Sequence, residues 1–440
     1  MLPRLTGLLY SDVDTRPVRW ALAINLLGIS LLVDLIQLAV PFFLLAMVFE
    51  LVFGIVRGRN TYRLNDAFSS LMLGILSQAR KFVVLGAGGF AYAWAAKQTT
   101  ITPWSVDSVG AWVIAFVLYD LCYYWQHRIG HERQFFWAAH VAHHQSEDYN
   151  LSTALRQTST GFLLGWVFYV PLFLLGVPAE MVVTVGALNL IYQFWVHTQH
   201  IPELGLLERA FVTPSNHRVH HAQNDCYLDR NYGGVFIIWD RLFGTYQREL
   251  PDEPCVYGIR GPIRSWNPLV ALTHIYRDMF DDMRRTASWR DRFRVLWART
   301  GWQPSDVSST WPRQKSDLEE FVRYDPEVSV PRRVYGGLQL AAATALLLWG
   351  QLEVLSAAGY WMWWLLLVWT GVVTAGWLQG WRLSTLCLLD LPRLVGVAVA
   401  LVVVMPSEGW LLAGYLWCGI SLAVIAWEFG DAFRRDTARV

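Results

Sequence analysis

Long runs of apolar residues limit this chain to few folds. Crossing a hydrocarbon layer of about 30 Å takes roughly 20 residues of apolar helix. Several stretches reach or approach that length: Asp34–Val56, Val109–Trp125, Leu163–Val177 with its flanks, Ala179–Val196, Val334–Leu352, Tyr360–Leu378, Leu394–Met405 and Trp410–Trp427. Asn65–Lys97 is apolar too but carries Arg80 and Lys81 in its middle, which reads as an interfacial helix followed by a spanning one. Short amphipathic core helices account for one or two such stretches, not eight. Composition agrees, with 54% apolar residues, 16% charged residues and 24 Trp in 440, far from the soluble balance. The expectation is an all-α integral membrane protein, a multi-span helical bundle.

The N-terminus, MLPRLTGLLYSDVDTR, has acidic residues ahead of the apolar run and no small-residue cleavage site. The first segment therefore reads as a retained anchor. A net charge of +1 gives no reason to expect nucleic acid as a partner. The five cysteines, Cys122, Cys226, Cys255, Cys387 and Cys418, show no CxxC spacing, which argues against a disulfide framework or a thiolate metal site. Arg57, Arg59 and Arg63 follow the first span, Arg332 and Arg333 precede a later one, Arg382 and Arg393 lie between two more, and Arg434, Arg435 and Arg439 close the chain. The opposite loops, around Glu353–Gly359 and Pro406–Gly409, are almost free of basic residues. The positive-inside rule makes the Arg-bearing ends cytoplasmic. Three zones follow: an N-terminal anchor with an interfacial piece (1–108), a histidine-bearing zone ending in a polar cytoplasmic cap (109–333), and a four-helix membrane tail (334–440).

Ten of the eleven histidines fall between His127 and His221. His127 and His131 form HxxxH, one face of a helix. His140, His143 and His144 form HxxHH, and His217, His220 and His221 repeat it. His197 and His200 make a looser pair, and the spacing does not fix whether His200 coordinates. A lone histidine on an apolar helix is usually a satisfied core residue. Four spaced groups are another matter, because spacings of three and four let imidazoles converge on one ion. Topology puts all four groups at one end of the bundle, the cytoplasmic end. The hairpin Leu163–Val177 and Ala179–Val196 goes out and returns, delivering His197 to the starting side. One zinc needs three or four ligands, so nine histidines suggest two ions: His127, His131, His140, His143, His144, His197, His217, His220 and His221. HExxH, HxxEH and Glu-x-x-His arrangements are absent, which excludes zinc-protease and carboxylate di-iron sites. Isolated His274 reads as a bystander. Ligands at helix ends on one face also count against a metal transporter, which would bind near the bilayer midplane.

The groups HRIGH, HVAHH and HRVHH, in this order between apolar helices, resemble the fatty acid hydroxylase/sterol desaturase superfamily. The segments HHQSEDYNLSTALRQ, PSNHRVHHAQN and NYGGVFIIWDRLFGTY are most similar to its alkylglycerol monooxygenase branch, over about residues 109–250. The resemblance implies two irons, O2 and oxidation of an unactivated C–H bond of a lipid; the branch cleaves glyceryl ethers after hydroxylation, with tetrahydrobiopterin as reductant. Sterol oxidation or desaturation, or acyl-chain hydroxylation, would use the same histidines. The branch usually reads PSHHRVHH, and Asn216 stands at its first histidine, an expected change beside the metal ligands. Glu132 resembles the family's HRxxHE and is a candidate catalytic or pterin-contacting residue; it reads equally as a surface charge. Asp120, costly in an apolar helix unless paired, is expected to hydrogen-bond a ligand histidine from the face it shares with Tyr123 and Tyr124. Asn150, Arg156 and Asp240 match the resemblance; Arg156 fits an anchor or a headgroup contact near the membrane entrance. No haem segment or iron–sulfur pattern is present, so electrons come from an external protein or from a diffusible reductant under the cap.

Overall fold

The computed structural model describes residues 35–78, 91–161, 164–352, 357–404 and 408–437. The N-terminal segment 1–34, Arg80, Lys81, Glu353, Pro406 and Arg439 lie outside the described residues. The described residues are helical, without strands; β-type pairing is limited to isolated bridges such as Phe211 with Phe236 and Ala222 with Tyr257. The principal helices are α1 (Leu35–Val56), α2 (Leu64–Gln78), α3 (Val109–Glu132), α4 (Val141–His144, one turn), α5 (Ala179–Trp195), α6 (Pro214–His221), α7 (Pro268–Arg285), α8 (Trp289–Trp297), α9 (Val330–Leu352), α10 (Ala357–Leu378), α11 (Leu383–Val404) and α12 (Glu408–Thr437).

Two of these, α1 and the Gly359–Leu378 part of α10, are long and apolar enough to cross a membrane. Most of α1 lies outside the protein core: Phe42 and Phe49 are 70% and 71% exposed. In water each such side chain would forgo about 1.5–3 kcal/mol of burial free energy, and a contiguous patch of this kind marks a membrane or a partner. The stretch Leu163–Val177 does not form the spanning helix expected of it. Gly165–Tyr169 is a 3-10 turn and Val170–Leu174 a helix of five residues. Pro171 fixes the start of the second piece, and Gly165 lies so close to Gln126 that a Cβ there would approach the Gln126 amide nitrogen at 2.8 Å.

Three apolar clusters hold the frame. Met47, Leu151, Ala154 and Phe194 join α1 to α5, with Phe43 stacked on Phe194 at 4.1 Å between centroids. Ala115, Met181, Val182 and Val185 join α3 to α5. Phe68, Met72, Ile75 and Leu76 of α2 pack with Leu347, Trp363 and Leu367 of α9 and α10, and Trp266 of the cap joins them. Helix α2 therefore shares a core with the C-terminal helices. Arg393 is not an inter-span loop residue: it lies within α11, fully buried, and its guanidinium donates to Asp390 Oδ1 at 2.6 and 2.9 Å. Burial makes the pair obligatory, which removes Arg393 from the charge count that orients the chain.

Candidate metal centre

The last two turns of α3 place His127 and His131 one above the other, ring centroids 5.2 Å apart. The helix stops at Arg133, whose extended backbone (φ −128°) lets the chain turn into the short helix Gln134–Ala138. His140 then begins α4, which carries His143 and His144. His197 follows the end of α5, and α6 carries His217, His220 and His221. Pro214 at the first turn of α6 and Thr213 before it are favourable start signals. Asn216 completes that start: its Oδ1 accepts from the Thr213 N–H at 3.3 Å. The residue that departs from the usual motif thus caps a helix and belongs to neither histidine group.

The nine histidines fall into two groups, His127, His131, His140, His144 and His220 in one and His143, His197, His217 and His221 in the other. Within each, one ring nitrogen per residue lies within 4.8 Å of all the others. Nε2 of His140 is 3.1 Å from Nε2 of both His127 and His144. In the second group Nε2 of His197 is 3.3 Å from His143 and 3.0 Å from His217, and His217 is 3.2 Å from His221. Donors about 2.1 Å from one ion at ordinary coordination angles stand about 3.0–3.4 Å apart.

Tautomers strengthen the fit. His143 Nδ1 donates to the Arg156 carbonyl at 3.0 Å and His197 Nδ1 to the Gln193 carbonyl at 2.7 Å. A carbonyl only accepts, so both Nε2 atoms are bare, and two lone pairs face each other at 3.3 Å. That contact is repulsive unless a cation lies between. His220 Nδ1 donates to the Arg230 carbonyl at 2.9 Å, leaving its buried Nε2 without a hydrogen-bond partner. Burial pushes His127 down to about 3 and His143 to about 4; burial and then the neighbouring imidazoles hold His131 and His144 well below the ordinary value. Neutral, convergent nitrogen donors suit first-row divalent ions, and the two groups accommodate one ion each.

Behind the rings, backbone carbonyls set the tautomers, an outer layer typical of metal histidines. Asp229 and Asn231 have φ of 56° and 55°, the left-handed region that Asn and Asp tolerate best among non-glycine residues. That turn aims the Arg230 carbonyl at His220 and the Tyr232 carbonyl at His127, the latter at 2.8 Å. Asp240 fixes it by accepting from Tyr232 N, Gly233 N and Thr245 Oγ1 at 2.7–2.8 Å. Asp120 does not bond a histidine as expected. Its carboxylate accepts from Val235 N, Phe236 N, Trp239 Nε1 and Asn189 Nδ2, because the 233–236 turn packs directly on it. A Cβ on Gly234 would sit 2.8 Å from Asp120 Oδ1, so only glycine permits this approach.

Glu132 pairs with Arg128 at 2.8 Å and is partly exposed. Tyr123 donates to Gln193 Oε1, and Tyr124 shares a hydrogen bond with Thr245. Asn150 caps the turn Leu151–Ala154. Arg156 is 1% exposed and donates to Ala142 O and Gln145 Oε1, bracing α4, so its guanidinium is closed to a lipid headgroup. His200 and His274 belong to neither group. Sequence reasoning missed Asp66, whose carboxylate accepts from Ser146 Oγ and Glu147 N beside His144; its one signal is a charge placed in an apolar helix. A cavity of about 900 Å³ opens at the centre beneath the cap, with His131, His144, His220 and His221 in its wall; Glu132 does not line it.

The fatty acid hydroxylase family matches residues 112–245, which contain all nine histidines. Alkylglycerol monooxygenase of Homo sapiens is 40% identical over 274 residues, 62% of this chain and 60% of that protein. The Xenopus tropicalis alkylglycerol monooxygenase is 34% identical over 307 residues, 69% of this chain and 68% of its own length. Lathosterol oxidase of Mus musculus is 27% identical over 157 residues, 34% of this chain and 48% of that one. The chain spans about 60% of the length of the human relative. No solved structure matches the chain.

Proposed function

The chain belongs to the fatty acid hydroxylase family, and on that premise we propose that it is a multi-pass membrane di-iron monooxygenase that oxidises a glyceryl ether lipid. The observation that carries this is the pair of convergent imidazole groups, above all the facing bare nitrogens of His143 and His197. Two iron ions held there would supply activation of O2 and oxidation of an unactivated C–H bond. His127, His131, His140, His144 and His220 would hold one ion, and His143, His197, His217 and His221 the other.

The protein's own groups keep the nine rings neutral by burial and fix their tautomers through the carbonyls of Arg156, Gln193, Arg230 and Tyr232. With O2, two electrons and two protons, the carbon beside the ether oxygen becomes a hemiacetal carbon and one water forms. Collapse of the hemiacetal breaks the C–O bond, giving a fatty aldehyde and free glycerol hydroxyl. Asp120 and Asp240 act on this site as positioning residues through the 232–236 turn. The likeness to alkylglycerol monooxygenases extends well past the histidine region, whereas the likeness to lathosterol oxidase spans 157 residues; this favours an ether lipid over a sterol.

We read the histidine face as cytoplasmic, with residues 1–108 as anchor, 109–333 as catalytic zone with its cap, and 334–440 as membrane tail. On α8 of the cap, Trp289, Phe293 and Trp297 are exposed at 66%, 64% and 57% at helical spacing of four, beside Arg290 and Arg294. Such a face suits the headgroup boundary of a bilayer. Electrons come from a reduced pterin in the cap cavity or from a protein donor docking on the cap. The test is turnover of an alkylglycerol by purified protein, with labelled O2 and tetrahydrobiopterin as sole reductant. Labelled aldehyde supports the reading. Turnover only with an added ferredoxin or cytochrome shifts the donor, and labelled sterol or acyl product with no aldehyde overturns the substrate.

A further inference from the structure

Set apart from the metal groups, the wall of the cap cavity holds two buried side chains with unused hydrogen-bonding atoms. His274 of α7 is 7% exposed and Gln223 is 1% exposed. Neither His274 Nε2 nor Gln223 Oε1 has a partner, and both residues line the cavity. Their other polar atoms are engaged. Gln223 Nε2 donates to Tyr257 O at 3.0 Å, and Arg260 Nε donates to the Gln223 carbonyl at 2.7 Å. His274 Nδ1 faces the Gln145 amide nitrogen at 3.4 Å. A buried polar atom left unpaired costs about 1–3 kcal/mol, so two in one cavity wall ask for a ligand.

Chemistry narrows the ligand. Gln223 Oε1 only accepts, so its partner must donate. His274 Nε2 accepts or donates according to tautomer, and a hydroxyl, which does both, satisfies either form. An anionic group would face Gln223 Oε1 together with the five carboxylates of the lining, Glu147, Asp229, Asp278, Asp317 and Glu320. A cation would face the five bases of the same wall, Arg260, Arg264, Arg277, Arg313 and Lys315. A neutral polyol meets neither objection.

We infer that His274 and Gln223 bind the glycerol hydroxyls of the lipid substrate and so determine its headgroup specificity. This rests on the proposed ether-lipid function and adds the residues that read the headgroup. Position supports it: the carbon to be oxidised is bonded to an oxygen of the glycerol itself. A pocket that reads glycerol must therefore adjoin the oxidation centre, and this cavity shares His131, His144, His220 and His221 with it.

The test uses the full chain loaded with metal, a 1-O-alkylglycerol, and the same lipid with both hydroxyls methylated. Variants are Gln223→Met, His274→Leu and, should leucine impair folding, His274→Gln. Loss of one neutral hydrogen bond is expected to raise KM for the alkylglycerol about fivefold to tenfold, with metal content and reductant KM unchanged. The alkylglycerol should also raise the Tm of the wild type and not that of Gln223→Met or His274→Leu, a readout independent of turnover. Stabilisation shared by wild type and variants would overturn this inference alone, as would an altered reductant KM with unchanged lipid KM, or equal discrimination against the methylated lipid in all proteins. No stabilisation of the wild type would overturn both this inference and the ether-lipid function.

Discussion

The carbonyl of Tyr232 accepts the Nδ1 hydrogen of His127 at 2.8 Å, and that bond turns a bare Nε2 toward His140. Tyr232 is held by Asp240 of the short helix Ile238–Phe243, and the turn that follows is held by Asp120 of α3. The two carboxylates thus clamp one turn between them, and the turn orients a candidate metal ligand that neither carboxylate touches.

Asp240→Asn keeps the size of the side chain and removes an acceptor from a group that receives three hydrogen bonds. The expected cost is about 1.5–3 kcal/mol of stability, with metal affinity lowered about 10–100-fold. Thermal unfolding and a competition titration with a chelator measure both. Unchanged metal affinity in a destabilised protein would show the clamp to be purely structural.

The same carboxyl has a pH signature. Burial, the largest influence, raises Asp240 from 3.8 to about 6. Between those values the folded chain keeps a proton that the unfolded chain has released. Stability from the protonated group is therefore full below about pH 3.8 and lost as pH rises through about 6. In metal-free protein the Tm advantage of wild type over Asp240→Asn should shrink across that window and level off above it. A constant difference would mean that Asp240 titrates normally.

Metal content distinguishes the two histidine groups. Elemental analysis should give two ions per chain, about one for His197→Ala or His220→Ala, and two for His200→Ala. His200 packs edge-on against Phe53 at 5.3 Å, outside both groups. One ion or none in folded, active wild type would defeat the two-ion arrangement. Two zinc ions from an overexpressing host would not, because imidazole sites are easily mis-metallated.

The histidines were legible because ligand spacing is local: HxxxH and HxxHH place rings on a face before any tertiary structure is known. Their division into five and four was not, since His143 and His144 are neighbours in sequence and point to different groups. The carbonyls that set the tautomers were equally hidden, because a carbonyl belongs to every residue; those of Arg230 and Tyr232 are aimed by φ at Asp229 and Asn231, and those of Arg156 and Gln193 by the local chain path. Asp120 was recognisable as costly and needing partners, but the partners, main-chain N–H groups more than a hundred residues away, carry no side-chain signal. Apolar runs located most long helices. They misjudged Leu163–Val177, where Gly165 and Pro171 break the helix, and Arg393, whose burial depends on Asp390 one turn earlier.

That last pair yields a prediction free of the metal. Asp390 and Arg393 are both fully buried in α11. Asp390 also accepts from Tyr335 and Trp377 at 2.6 and 2.7 Å, and Arg393 donates to Thr370 and Tyr335. These bonds tie α9, α10 and α11 together. Removing one partner strands a charge in a low-dielectric interior, at a cost of about 3–5 kcal/mol, whereas replacing both by apolar residues is often neutral. Asp390→Leu alone should therefore lower the yield and Tm of detergent-purified protein sharply, and Asp390→Leu with Arg393→Met should recover most of the loss. Metal content in the double variant should stay at the wild-type value, because the pair's partners are Tyr335, Thr370 and Trp377 and belong to neither histidine group. If the double variant were as unstable as the single one, the hydrogen bonds to Tyr335 and Trp377, not the neutralised charge, would be what joins these helices.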